Sequence, residues 1–222
     1  MLSQNYESIK GRVRRAAIAA GRDPFSIKIL AAVKYTTIDR VNILFEDGLR
    51  IIGENRLQTA LRWENHPLRK DFSLHMIGHL QTNKAAKACA IFDTVDTVDS
   101  TRLAQNLNKA TLRPLPIMVE VNISGEKQKS GCLLQEFDQL CDFIINNCKS
   151  LVLSGIFTMT PVDAPDIFRE HIFDKADGLA EKLEDRLSTK IERSYGMSDD
   201  YELAVKHGST MIRLGRALFG GE

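Results

Sequence analysis

Ile27-Lys28-Ile29-Leu30-Ala31-Ala32-Val33-Lys34 is a short, mostly apolar run that carries a lysine at its carboxyl end, and it reads as a buried parallel strand. With a side-chain period of two, Leu30, Ala32 and Lys34 share a face, and the small Ala32 leaves room beside the lysine stem. A partly desolvated lysine loses some preference for its charged form, so the neutral amine can attack a carbonyl. A lysine that ends a strand also commonly snorkels to water and does no chemistry. The segment by itself leaves both roles open.

Outward from this strand the chain alternates helix and strand. Ser3 to Ala20 carries Tyr6, Ile9, Val13, Ala16, Ala17 and Ala20 at helical spacing, and Gly21 is placed to end it. Further strands are expected at Arg50 to Gly53, Ser73 to Ile77, Thr94 to Val98, Pro116 to Ile123, Leu151 to Met159, Lys190 to Tyr195 and Met211 to Leu214. Helical patterns separate them, and Ser100 is placed to cap the helix that runs to about Leu112. Eight strand–helix units without a Pro/Ser-rich linker predict one (β/α)8 barrel over 1–222, with an extra N-terminal helix. An open doubly wound sheet is the runner-up, and its dinucleotide fingerprint GxGxxG is absent.

Thirty basic and 29 acidic residues give a net charge of +1, so no overall field favours nucleic acid or an anionic membrane, and any anion site must be local. No apolar run approaches the ~20 residues that span a bilayer, and the first twenty residues lack a signal-peptide core. A cytoplasmic protein is expected. Cys89, Cys132, Cys141 and Cys148 form no CxxC pair and have no metal-ligand spacing with histidine, so core packing is their expected role.

In a (β/α)8 barrel the active site lies where the strands end, which makes the residues after each strand the candidates. They are Lys34; Glu54 and Asn55; the run His75 to Gln81; Asn122 with the loop Ser124 to Gly131; and Gly196-Met197-Ser198-Asp199-Asp200. That last turn can offer free backbone N–H groups to a phosphate. Gly208-Ser209-Thr210 reads as a second donor-rich loop nearby, since barrels often hold phosphate after strands seven and eight. Asp199 and Asp200 would oppose an anion if they faced it, so backbone and hydroxyl donors must carry the binding. Arg213 shares a strand face with Met211 and Gly215, and its guanidinium can bond a ring nitrogen only when that nitrogen is unprotonated. His75 and His79 have helical i, i+4 spacing but fall at a strand end, where the imidazoles would not converge on a metal.

Taken together, these motifs resemble the pyridoxal-phosphate homeostasis family, and the resemblance covers nearly the whole chain. They stand here as Ala32-Val33-Lys34-Tyr35, Gly53-Glu54-Asn55, His75 to Lys84, Val121 to Ser124 with Lys129-Ser130-Gly131, Gly196 to Asp200, and Gly208 to Gly215. The resemblance implies an alanine-racemase-like barrel that holds pyridoxal 5′-phosphate as an internal aldimine on Lys34. It further implies ligand contacts from Asn55, His75, Met197, Ser198, Gly208, Ser209, Thr210 and Gly215, with Arg213 at the ring nitrogen. Val33 and Leu74 depart from the family's usual small hydroxyl and aromatic residues. The implied protein is a monomeric carrier or buffer of the cofactor that serves apo-enzymes and has no strong turnover.

Two rivals stand beside it. A racemase would need a second base opposite Lys34, which the sequence does not show, and a resembling racemase would add a mostly β domain where this chain stops at Glu222. A Schiff-base aldolase would use a lysine and a phosphate loop without a coloured cofactor. Lys84 and Lys129 are the other lysines an aldehyde could reach, and Lys129 is the stronger because its glycine-flanked loop can move.

Overall fold

A computed structural model describes residues 1–126 and 128–220. The fold class is the (β/α)8 barrel that the alternation predicts, with parallel strand pairing and one added N-terminal helix. Residues cluster into two compact units, 1–52 with 159–222 and 53–158, described here in turn.

The first unit opens with α1 (Leu2–Ala19), which buries Tyr6, Ile9, Val13, Ala16 and Ala17 along one stripe. Each fully buried Ile or Val of that stripe contributes about 2 kcal/mol relative to exposure. The helix stops at Gly21, whose φ of +67° suits glycine, and the Arg22 N–H closes back on the Ala17 carbonyl at 2.9 Å. Strand β1 (Lys28–Ala32) follows, then α2 (Ile38–Glu46), capped by the Thr37 hydroxyl, which accepts from the Arg40 N–H. Within β2 (Ile51–Glu54) the chain leaves this unit, after Ile52, and it returns at residue 159.

The second unit holds α3 (Leu57–Ala60), β3 (Ser73–Met76), α4 (Ala85–Ile91), β4 (Thr94–Val98), α5 (Thr101–Ala110) and β5 (Leu115–Asn122). A two-residue strand, β6 (Cys132–Leu133), then α6 (Phe137–Asn147) and β7 (Leu151–Phe157) complete it. Its strands run β3-β4-β5-β7, and β6 adds to the far end of β5 through Val121 opposite Cys132. β6 directly follows the 124–131 loop, and the sequence pattern does not predict it. All of β4 is buried, which accounts for its β-branched run, and Ser100 accepts from the Leu103 N–H as its position predicts.

Back in the first unit, α7 (Asp166–Leu187) ends on Ser188 in the left-handed region at φ 52°. It leads to β8 (Glu192–Ser194), α8 (Tyr201–Lys206), β9 (Met211–Leu214) and the single turn α9 (Arg216–Phe219). β9 lies between β8 and β1, with Ser194 opposite Met211 and Leu30 opposite Arg213.

All four cysteines are free and buried, matching their expected role in packing. No helix among the described residues is long and apolar enough to cross a membrane.

Candidate functional site

The β1–β9 register fixes the first unit's site. Ala31 pairs with Leu214, so the residues that follow, Lys34 on one side and Gly215 on the other, leave their strands at the same carboxyl end. A Cβ on Gly215 would stand 3.5 Å from the Ala32 carbonyl oxygen, in ordinary contact, so the two chains run close here. Lys34 is exposed, and its Nζ lies 5.0 Å from the centroid of the Tyr35 ring. Arg213 is 5% exposed, and its guanidinium donates to the Ser194 carbonyl at 2.6 Å and the Ser194 hydroxyl at 3.1 Å.

The turn after β8 is locked from beneath. Gly196 has φ +98°, and a Cβ there would come within 2.6 Å of Ala204 Cβ, so only glycine fits. Asp200 is buried; its Oδ1 accepts from the Met197 N–H at 2.6 Å and its Oδ2 from the Thr160 hydroxyl. One of the two acidic residues is therefore consumed within the turn. The other, Asp199, pairs with Arg216 at 2.5 Å. Ser198 Oγ accepts from the Ala217 N–H at 3.0 Å and so ties this turn to the one after β9. Arg169 of α7 donates to the Asp199 carbonyl at 3.4 Å and to the Val162 carbonyl at 2.8 Å, while its Nε is buried without a hydrogen-bond partner.

Gly208, Ser209 and Thr210 do not join this turn, which corrects the expectation of one cradle built from both loops. The Thr210 carbonyl accepts from Lys28 N–H at 2.8 Å, and its hydroxyl accepts from Arg193 N–H at 2.8 Å and donates to Glu192. Ser209 is fully buried and donates to the Tyr195 carbonyl at 2.6 Å. These residues precede β9, whereas Ser198 follows β8, and in parallel strands those positions lie at opposite ends. At about 3.3 Å per residue, Thr210 and Gly215 are roughly 16 Å apart along the strand. The turn that meets the 196–200 turn is Gly215-Arg216-Ala217, which follows β9. Its signal was a glycine followed by a charged residue directly after a strand, the rule already applied to the other loops.

Gly208 instead lines a cavity of about 420 Å³ with Arg22, Asp174, Asp177, Arg193, Lys206 and His207. Its φ is +96°, and a Cβ would collide with Asp177 Oδ1 at 2.2 Å.

In the second unit, Glu54 is fully buried and accepts from Arg62 at 2.7 Å, Trp63 Nε1 at 3.0 Å and Thr59 at 2.8 Å, a structural anchor with every charge answered. Asn55 is half-buried, and its backbone lies against Gly78, where a Cβ would sit 2.3 Å from the Asn55 carbonyl oxygen. His75 is buried, with Nδ1 2.8 Å from the buried Asp96 carboxylate of the neighbouring strand. His79 is exposed and approaches Asp99 at 3.5 Å. The two histidines thus go to different acids, and no group of three metal-ligating side chains occurs among the described residues.

Asn122 pins its loop by donating to the Glu126 carbonyl at 2.9 Å and accepting from the Gly125 N–H at 3.0 Å. Lys129 pairs with Glu126 at 2.6 Å, and that ammonium holds the Glu126 carboxyl below its usual range. Lys127 of the same loop lies outside the described residues. Burial pushes the Cys132 thiol up to about 12, reinforced by Glu136, Asp99 and Glu120.

Residues 4–222 match the family described as alanine racemase, N-terminal domain. The chain is similar to the pyridoxal phosphate homeostasis protein of Pseudomonas aeruginosa, with 35% identity over 99% of this chain and 95% of that one. Among solved structures it is similar to PipY of Synechococcus elongatus with PLP bound, at 26% identity and a TM-score of 0.81, covering 99% of this chain and 100% of PipY. Alanine racemase of Clostridium difficile shares the fold at a TM-score of 0.78 and 15% identity, over 100% of this chain and 56% of the racemase.

Proposed function

The chain belongs to the alanine racemase N-terminal domain family and, within it, to the pyridoxal phosphate homeostasis proteins, and from that premise we infer that it binds pyridoxal 5′-phosphate and acts in its homeostasis. PLP bound to PipY, a relative of the same length, carries the reading. The family match over 4–222 supports treating 1–222 as one ligand-binding domain.

The first unit's residues fit the group's chemistry. When bound, pyridoxal phosphate supplies an aldehyde that an amine can attack and a phosphate that needs cationic and N–H donors. Lys34 offers an exposed amine with no ion pair to a carboxylate among the described residues. The Lys34 ammonium also lies over the Tyr35 ring, a cation–π contact of about 0.5–1 kcal/mol at such an exposed position. The turns 196–198 and 215–217 form the phosphate seat, and the orphaned Nε of Arg169 beside them is a donor awaiting an acceptor.

Arg213, held by Ser194, acts as a permanent donor that cannot take a hydrogen bond, so it keeps a neighbouring ring nitrogen free of its proton. An unprotonated ring draws electrons weakly, which favours holding the cofactor over turning substrates over. His75, oriented by Asp96, and Asn55 belong to the same proposal as polar lining. So do a monomeric state, a cytoplasmic location and delivery to apo-enzymes.

The test is borohydride reduction of the yellow holoprotein followed by mass spectrometry. The adduct is expected on Lys34, and Lys34→Ala should lose it. An adduct mainly on Lys84 or Lys129 would overturn the assignment.

A further inference from the structure

We propose that Arg216 is a phosphate-selecting residue held in reserve by Asp199, exchanging that carboxylate for the ligand's phosphate when it arrives; this rests on the pyridoxal-phosphate reading above. Three observations carry it. Arg216 opens the turn whose next N–H, that of Ala217, is bonded to Ser198 Oγ, so its guanidinium stands at the edge of the seat. Its ion-pair partner, Asp199, belongs to the facing turn, with the two side chains 67% and 49% exposed. Arg169 is bonded to the Asp199 backbone carbonyl and not to its carboxylate.

A pair this exposed is weakly held, because water screens it and two mobile side chains must be ordered to keep it. A phosphate dianion is the stronger partner: it carries more charge than a carboxylate and can accept two parallel bonds from the guanidinium fork. Moving Arg216 from one anion to the other needs only side-chain rotation, since its Cα is fixed by the turn. Asp199 would then face Arg169 and solvent. Asp200 cannot compete for Arg216, because one of its oxygens accepts from the Met197 N–H and the other from the Thr160 hydroxyl. Asp166, 77% exposed, is a further carboxylate here and pairs with Arg169 at 3.5 Å.

The arrangement makes grip depend on the phosphate. Pyridoxal, the same aldehyde without its phosphate, leaves Arg216 on Asp199 and gains nothing from it. Asp199 thus lowers affinity for the phosphorylated ligand by competing for the cation, which eases release.

The experiment is a titration of wild type, Arg216→Ala, Asp199→Asn and the double variant with pyridoxal phosphate and with pyridoxal, followed by visible absorbance. Thermal protection by inorganic phosphate is measured on the same four proteins. Arg216→Ala should weaken pyridoxal phosphate by about tenfold, the loss expected for one charge-assisted contact. Asp199→Asn should tighten it several-fold, the gain should vanish in the double variant, and pyridoxal should bind all four alike. Equal effects on both aldehydes, or none, would overturn the inference while leaving the cofactor reading intact. If wild type gives a coloured adduct with neither aldehyde, the cofactor reading falls. The switch is then decided by inorganic phosphate: protection lost in Arg216→Ala upholds it, and protection unchanged in that variant overturns it.

Discussion

Ser198 Oγ and the Ala217 backbone N–H are joined by a 3.0 Å hydrogen bond that bridges the turn after β8 to the turn after β9. Ser198 and Ala217 are 19 residues apart in sequence, and each turn alone is an ordinary strand-to-helix connection. The bond holds the two turns together beside the Arg216–Asp199 pair, and both turns follow their strands at the carboxyl end, where β1 leads into Lys34.

Replacing Ser198 by Asp should separate binding from folding. An aspartate can still accept from Ala217, so Tm should change little, but a new negative charge would sit beside the bound phosphate. Affinity for pyridoxal phosphate should fall by at least about tenfold. Absorbance titration and a melting curve on the same preparation test this; unchanged affinity would remove the turn from the site.

Ser209→Ala should do the reverse. The Ser209 hydroxyl is buried and donates to the Tyr195 carbonyl at 2.6 Å, so its loss should cost about 1–2 kcal/mol. For a chain of this size that lowers Tm by about 2–4 °C per kcal/mol. Ligand affinity should stay at the wild-type value, and a selective loss of phosphate binding would return the 208–210 loop to the site.

Much of this was legible in the sequence, for physical reasons that differ by element. Strand ends and helix caps are local: Gly21 and Ser100 act where their backbone and hydroxyl chemistry places them. The 196–200 turn was equally readable, since a glycine followed by donors after a strand needs no tertiary knowledge. The 208–210 loop misled because its composition suits an anion as well as the 196–200 turn does. Only chain direction shows that it meets the start of β9 and spends its hydroxyls on Arg193, Tyr195 and Glu192. The Arg216–Asp199 pair and the inward turn of Asp200 depend on side-chain directions that no pattern in the chain encodes.

Glu184 should govern part of the acid limb of stability. Burial raises its carboxyl pKa, but Lys190 at 2.7 Å, the Ile191 N–H at 3.1 Å and Arg193 at 2.9 Å more than offset that, so the folded value lies below the ordinary 4.5. A depressed carboxylate stabilises the fold fully above its unfolded value and loses that contribution as pH falls through the folded one. Wild type should therefore out-melt Glu184→Gln most clearly above about pH 5, with the gap closing below 4.5. A gap that is constant across this range would mean that packing, not charge, is what Glu184 supplies.

Arg213 decides between carrier and catalyst. It is ionised at every working pH and anchored on Ser194, so it donates and never accepts, and a ring nitrogen beside it stays unprotonated. The wild type should then exchange the α-hydrogen of alanine for deuterium slowly or not at all in D2O. Arg213→Glu supplies a group that can accept from a protonated ring and should raise that exchange. The change also buries a carboxylate against the Ser194 carbonyl, two acceptors with no donor between them, which lowers stability. Arg213→Gln, which can still donate to Ser194, separates the two effects: it should fold better than Arg213→Glu and exchange more slowly. All three proteins are compared at matched cofactor occupancy. Rapid exchange by the wild type would make the racemase alternative the better reading. No gain in Arg213→Glu would place Arg213 away from the ring nitrogen and leave the carrier role to rest on Lys34 alone.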